Sequence, residues 1–97
     1  MIFRQYPFII TKDSNGNHLI TCPDFKDFAC TINGMTLVEA SGAAMCTIHQ
    51  LCNSLEEQGI PLPAATTLET AKQSAPKDAL LVATVIVARK EDGDFNY

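Results

Sequence analysis

Thr36–Gly59, TLVEASGAAMCTIHQLCNSLEEQG, is the stretch whose reading decides the fold. Thr36 followed by Glu39 has the spacing of a capping box, in which each side chain satisfies a backbone N–H of the first helical turn. Gly59 can take the left-handed conformation that ends a helix. Between these marked ends Leu37, Ala40, Ala44, Ile48, Leu51 and Leu55 recur at three- and four-residue steps, which places them on one helical face. Val38, Met45 and Cys52 lie beside that stripe and widen it, while Gln50, Asn53, Glu56 and Glu57 point elsewhere. At ~1.5 Å per residue the helix is about 30 Å long, enough to cover one face of a small sheet.

Upstream, residues 2–11 are rich in β-branched and aromatic types, with Tyr6, Phe8 and Ile10 on one face of a strand and Pro7 and Ile9 on the other. Pro7 cannot donate to a ladder, so it belongs where its N–H is not needed. Asn15-Gly16 predicts a hairpin with a type I′ turn, which needs two residues that tolerate positive φ. A second strand follows over His18–Cys22, ended by Pro23-Asp24, and a third over Phe28–Ile32, closed by Asn33-Gly34. Downstream of the helix, Ile60-Pro61-Leu62-Pro63 should run extended. Thr66 with Glu69 suggests a second capping box, for a short helix near 67–74. Leu80–Arg89 is apolar on both alternating faces, the mark of a strand buried on both sides.

The order is therefore β-β-β-α-α-β, an α+β domain in which a three-stranded antiparallel meander is followed by a long and a short helix. A helical crossover would then bring the fourth strand parallel to the first. Residues 1–90 form one domain and 91–97 a polar tail. One long helix covers one sheet face, yet the first and last strands look apolar on two. The expectation is that a second copy of the chain, or another protein, covers the second face, because a large exposed apolar patch is rare on a lone monomer.

The chain has 97 residues, 46% of them hydrophobic and 19% charged, ordinary values for one globular domain. The opening MIFRQYPFII is interrupted by Arg4, Gln5 and Pro7, unlike a signal peptide, and the longest apolar run is less than half of the ~20 residues a membrane span needs. A cytoplasmic protein without a membrane anchor is expected, with Cys22, Cys30, Cys46 and Cys52 as reduced, buried thiols. Net charge is −4, and no Lys or Arg occurs from Asp27 to Ala71. That stretch cannot neutralise phosphates, which argues against direct nucleic-acid binding and in favour of a basic protein partner.

The block CPDFKDFACTINGMTLVEA resembles the HicB antitoxins, through Pro23-Asp24-Phe25 followed by Gly34, Thr36, Glu39 and Ala40. Tyr6-Pro7, the Asn15-Gly16 hairpin and LEEQGIPLP extend the likeness over residues 5 to about 70. Two departures stand out: Lys26-Asp27-Phe28 replaces the family's frequent Pro-Gly-Cys, and Met35 its usual acidic residue. The resemblance implies a partial ribonuclease-H-like fold that binds and blocks HicA, a small basic ribonuclease toxin, in a toxin–antitoxin system. It also implies a C-terminal DNA-binding segment, but with eight residues after Arg89 the expectation here is of no such domain.

Two-metal phosphodiester cleavage needs several converging carboxylates. Asp13, Asp24, Asp27, Glu56 and Glu57 fall in turns, loops and a helix end, so the chain reads as a non-enzyme without a cofactor. Cys46, His49 and Cys52 recur at three-residue steps, but Cys46 and Cys52 end some 120° apart on a helix at about 100° per residue, poor for chelating one ion. No metal site or Cys/His nucleophile follows. For partner binding the expected residues are Asp24, Phe25, Asp27 and Phe28 in the loop and Glu56 and Glu57 at the helix end, an aromatic anchor with carboxylates set to meet cations. The reading is an antitoxin-like module that neutralises a HicA-type toxin by covering it, itself a homodimer or higher homo-oligomer. The alternative is a solitary HicB-like homo-oligomer with a structural or regulatory role.

Overall fold

The computed structural model describes residues 2–25, 28–33 and 36–89. Their elements are β1 (Ile2–Lys12), β2 (His18–Thr21), β3 (Ala29–Ile32), α1 (Leu37–Glu57), α2 (Leu68–Ser74) and β4 (Leu81–Arg89). The four strands form one sheet in the order β3-β2-β1-β4.

Both ends of α1 are built as the sequence indicates. The Thr36 hydroxyl accepts from the Glu39 N–H at 3.2 Å, and Glu39 Oε1 accepts from the Thr36 N–H at 3.0 Å. These bonds hold the Glu39 carboxyl below its usual range. At the other end Gly59, with φ +72°, donates to Glu56 and Ile60 to Leu55, the double bond of a Schellman motif. Ala40, Ala44, Ile48 and Cys52 are the buried face of α1. They pack on Tyr6, Phe8 and Ile10 of β1, Ile20 of β2 and Val85 and Val87 of β4, with Cys22 and Phe25 from the loop after β2. Val38 and Met45 are exposed rather than extending this face, so the buried stripe is narrower than expected.

The β1–β2 hairpin closes differently from a type I′ turn. Only Gly16 has positive φ, +79°, and no non-glycine residue does. The Gly16 N–H donates to the Asp13 carbonyl, and the Asp13 N–H donates to the Asn17 carbonyl. Asp13 Oδ1 accepts from both the Asn15 and Asn17 N–H at 2.9 Å. The carboxylate thus organises a five-residue loop in which Asn15 keeps an ordinary backbone.

The expected parallel pairing of β4 with β1 is corrected: the strands are neighbours, but antiparallel, from Ile2↔Arg89 to Ile10↔Leu81. The reason is that the chain recrosses the sheet twice after β3. Ile32 pairs with His18, itself opposite Lys12, so α1 starts from that end of β1. By Pro63 the chain is back beside Tyr6, whose hydroxyl donates to the Pro63 carbonyl at 2.7 Å. The second passage, through α2, returns it to Leu80, whose N–H bonds the Ile10 carbonyl before β4 begins. An even number of passages makes β4 antiparallel.

α2 also covers part of the second sheet face. Its Ala71 is fully buried, and it packs against β1 and β4, where Pro7 and Ile9 are buried outside the α1 core. The cover is incomplete: Phe3 is 62% and Ile86 52% exposed, so β4 is not buried on both sides as expected. The α2 cap is shifted by one residue, with Thr67 accepting from the Thr70 N–H.

Ile48→Ala should lower unfolding free energy by ~2–5 kcal/mol, the range for emptying a packed core position. Gly42 is exposed within α1, and a Cβ there would meet nothing within 4 Å. Gly42→Ala should therefore raise stability by about 0.5–1 kcal/mol. Urea denaturation of the two variants checks both signs.

Candidate partner-binding surface

β1 has 11 residues and β2 four, so β2 covers only Ile9–Lys12 and, among the described residues, no strand lies along that side of β1 from Phe3 to Pro7. Chain from two loops fills this gap. The Cys22 thiol donates to the Pro7 carbonyl at 3.2 Å. Since a strand residue's N–H and C=O point to the same side, the missing N–H of Pro7 faces this gap and no bond to β4 is lost.

The extended segment after α1 is held here by Asp24. Its carboxylate accepts from the Thr66 N–H at 3.0 and 3.1 Å and from the Thr66 hydroxyl at 2.7 Å. Thr66 is therefore not the helix cap that its spacing to Glu69 suggests. Phe25 is buried, its ring edge-on to Tyr6 at 4.9 Å and 62°. Phe28 is half-buried against the same core. Asp27 lies outside the described residues. Asp24 and Phe25 therefore join the loop to the body of the domain, with Phe25 buried and Asp24 half-buried. Of the six expected contact residues, Glu56, half-buried, and Glu57, exposed, are carboxylates on the outer surface at the end of α1.

Those two glutamates sit unfavourably. A helix C-terminus carries partial negative charge, and the last turn of α1 contains no basic residue. Outward from α1 also point exposed Val38, Met45, Cys46 and His49. Cys46 is thus exposed, contrary to the expectation of a buried thiol, whereas Cys22 and Cys52 are buried. Among the described residues no three His, Cys, Asp or Glu side chains are grouped to hold a metal ion.

A pocket of about 600 Å³ opens where 64–68 pass the end of β1, lined by Phe3, Arg4, Gln5, Ala64, Ala65, Thr66, Thr67, Leu68 and Thr84. Arg4 is its one ionisable residue, which provides no acid–base pair. Sequence reasoning missed two surfaces: this pocket and the outer edge of β4. The uncharged run Leu81–Ala88 was the available signal for the second, but alternation alone does not separate an edge strand from a central one.

Comparison with family models, curated proteins and solved structures gives no match. Among the described residues no helix is long and apolar enough to cross a membrane.

Removing the Asp24 carboxylate leaves the Thr66 donors unsatisfied, so Asp24→Ala should cost about 1–3 kcal/mol in chemical denaturation. Burial also pushes the Tyr6 hydroxyl from 10.0 to about 12 and the Cys22 thiol from 9.0 to about 11. The native chain then holds protons that the unfolded chain has released, so stability present below pH 9.0 is lost as pH rises towards about 12. Tyr6→Phe should flatten the upper part of that loss, as read from urea midpoints across the alkaline range.

Proposed function

We propose that this chain is a non-catalytic binding module of the cytoplasm that neutralises a small basic ribonuclease toxin of the HicA type by covering it. The observation that carries the reading is the pair Glu56 and Glu57 in the last turn of α1 with no basic residue to offset them. Each carboxylate at that end costs the helix roughly 0.3–1 kcal/mol, with no basic residue in the last turn to offset it. A cationic partner would convert this local penalty into attraction. The rest of the helix surface suits the same partner: exposed Val38 and Met45 offer apolar contact, and no Lys or Arg from Asp27 to Ala71 repels a basic protein. The resemblance of residues 5 to about 70 to HicB antitoxins, with their partial ribonuclease-H-like fold, supplies the partner's class.

The test is co-expression with the basic protein encoded by the adjacent reading frame. Growth arrest by that protein alone, relieved when this chain is present, is expected. Failure to relieve it, or to form a complex that salt weakens, would overturn the reading. The double variant Glu56→Lys with Glu57→Lys separates function from folding, since its two effects have opposite signs. It should stabilise α1 by about 0.3–1 kcal/mol per residue. It should also weaken toxin binding at least about tenfold at low salt, equivalent to 1.4 kcal/mol. Calorimetric unfolding and titration measure the two.

A further inference from the structure

We infer that two copies of this chain associate through their β4 edges, antiparallel about a two-fold axis at Val85, into one continuous eight-stranded sheet. The inference does not rest on a toxin partner. β4 is the last strand in the order β3-β2-β1-β4, so its outer edge has no strand beside it among the described residues. The sheet treats its two edges differently. β3 has four residues, a length that gives little to pair with, whereas β4 has nine. From Leu81 to Ala88 there is no Lys, no Pro, no Gly and no charge, the devices by which proteins blunt an edge.

The backbone direction follows from two bonds. The Pro7 carbonyl points to Cys22, on the β2 side, and the Ile10 carbonyl points to Leu80, on the β4 side. Odd residues of β1 therefore face β2 and even ones face β4. With Tyr6↔Val85 and Phe8↔Ala83 in register, the odd residues of β4 face β1. Val82, Thr84, Ile86 and Ala88 then present their N–H and C=O groups outward.

These four residues are symmetric about Val85, so the set is its own complement. In an antiparallel pair centred there, Val82 of one copy meets Ala88 of the other, and Thr84 meets Ile86, which pairs every outward group. Self-association also fits the charge. In a chain of net charge −4, this uncharged edge lets two copies meet without opposing like charges. Side chains agree, because Ile86, 52% exposed, lies on the same sheet face as exposed Phe3 and Ala88. In the dimer that face continues from one copy to the next, narrowing the apolar surface that α2 leaves uncovered.

The experiment is sedimentation equilibrium of the full chain with residue-resolved hydrogen exchange. A species of twice the 10.6 kDa chain mass at micromolar concentration is expected, with slow exchange at Val82, Thr84, Ile86 and Ala88. Ile86→Pro removes one outward N–H and leaves the β1 ladder complete. Ile86→Lys keeps the backbone and places a charge beside the two-fold axis. Each should raise the dimer dissociation constant at least about tenfold. Each should also speed exchange at the remaining outward amides while Ala83, Val85 and Val87 stay protected. A monomeric wild-type chain overturns the proposal, as does a dimer that survives both variants or one whose outward amides exchange freely. Slow outward amides in a monomer would assign the edge to residues past Arg89 and overturn it equally.

Discussion

β1 must be covered on both faces, and the rest of the molecule is arranged around that constraint. Tyr6, Phe8 and Ile10 point to α1, while Pro7 and Ile9 are buried on the side that α2 covers. A single helix cannot reach both sides of a sheet. The chain must therefore cross from one face to the other, and it does so where β2 stops short of the full length of β1. Tyr6 marks the crossing: its ring packs on Phe25 and its hydroxyl binds the Pro63 carbonyl. Asp24 then ties the crossing segment to the loop after β2. Core packing and polar clasp thus serve one purpose, holding a connector at the end of a sheet whose strand β1 is buried on both faces from Tyr6 to Ile10.

Much of the architecture was legible in the residues. Thr36, Glu39 and Gly59 marked α1 to within a residue or two, because capping chemistry is local. The strands and their succession along the chain were equally readable from alternation and turn residues, whereas their order in the sheet was not. The direction of β4 was not, since it depends on whether α2 makes its own passage across the sheet, a tertiary fact that periodicity does not encode. The far face, expected to be covered by a second copy of the chain or another protein, is covered in part by α2 for the same reason. Seven helical residues suffice to bury Pro7 and Ile9, though not Phe3 or Ile86. Asn15-Gly16 marked the hairpin correctly but not its turn, because the Asp13 carboxylate competes for the same backbone donors.

The candidate surface was less legible. A carboxylate after a proline and an aromatic beside it read equally well as a binding loop or as a structural clasp, and the bond from Asp24 to Thr66, 42 residues away, is not encoded in any local pattern. The disadvantage of Glu56 and Glu57 is visible in the sequence itself: they end a helix that lacks a cation there. The open edge of β4 is the converse case. Its composition was plain and its exposure was not, since exposure follows from being last in the sheet.

The pairing of the first strand with the last also has a consequence for biosynthesis. β1 leaves the ribosome about 70 residues ahead of β4, a delay of roughly 4–14 s at 5–20 residues per second. Throughout that interval Phe3–Ile10 has no strand along the side that β4 will occupy, although β2, β3 and both helices have already been made. Nascent chains on neighbouring ribosomes thus display the same adhesive ribbon, so the speed of translation, as much as the final fold, bears on whether β1 finds its own β4 or another molecule's.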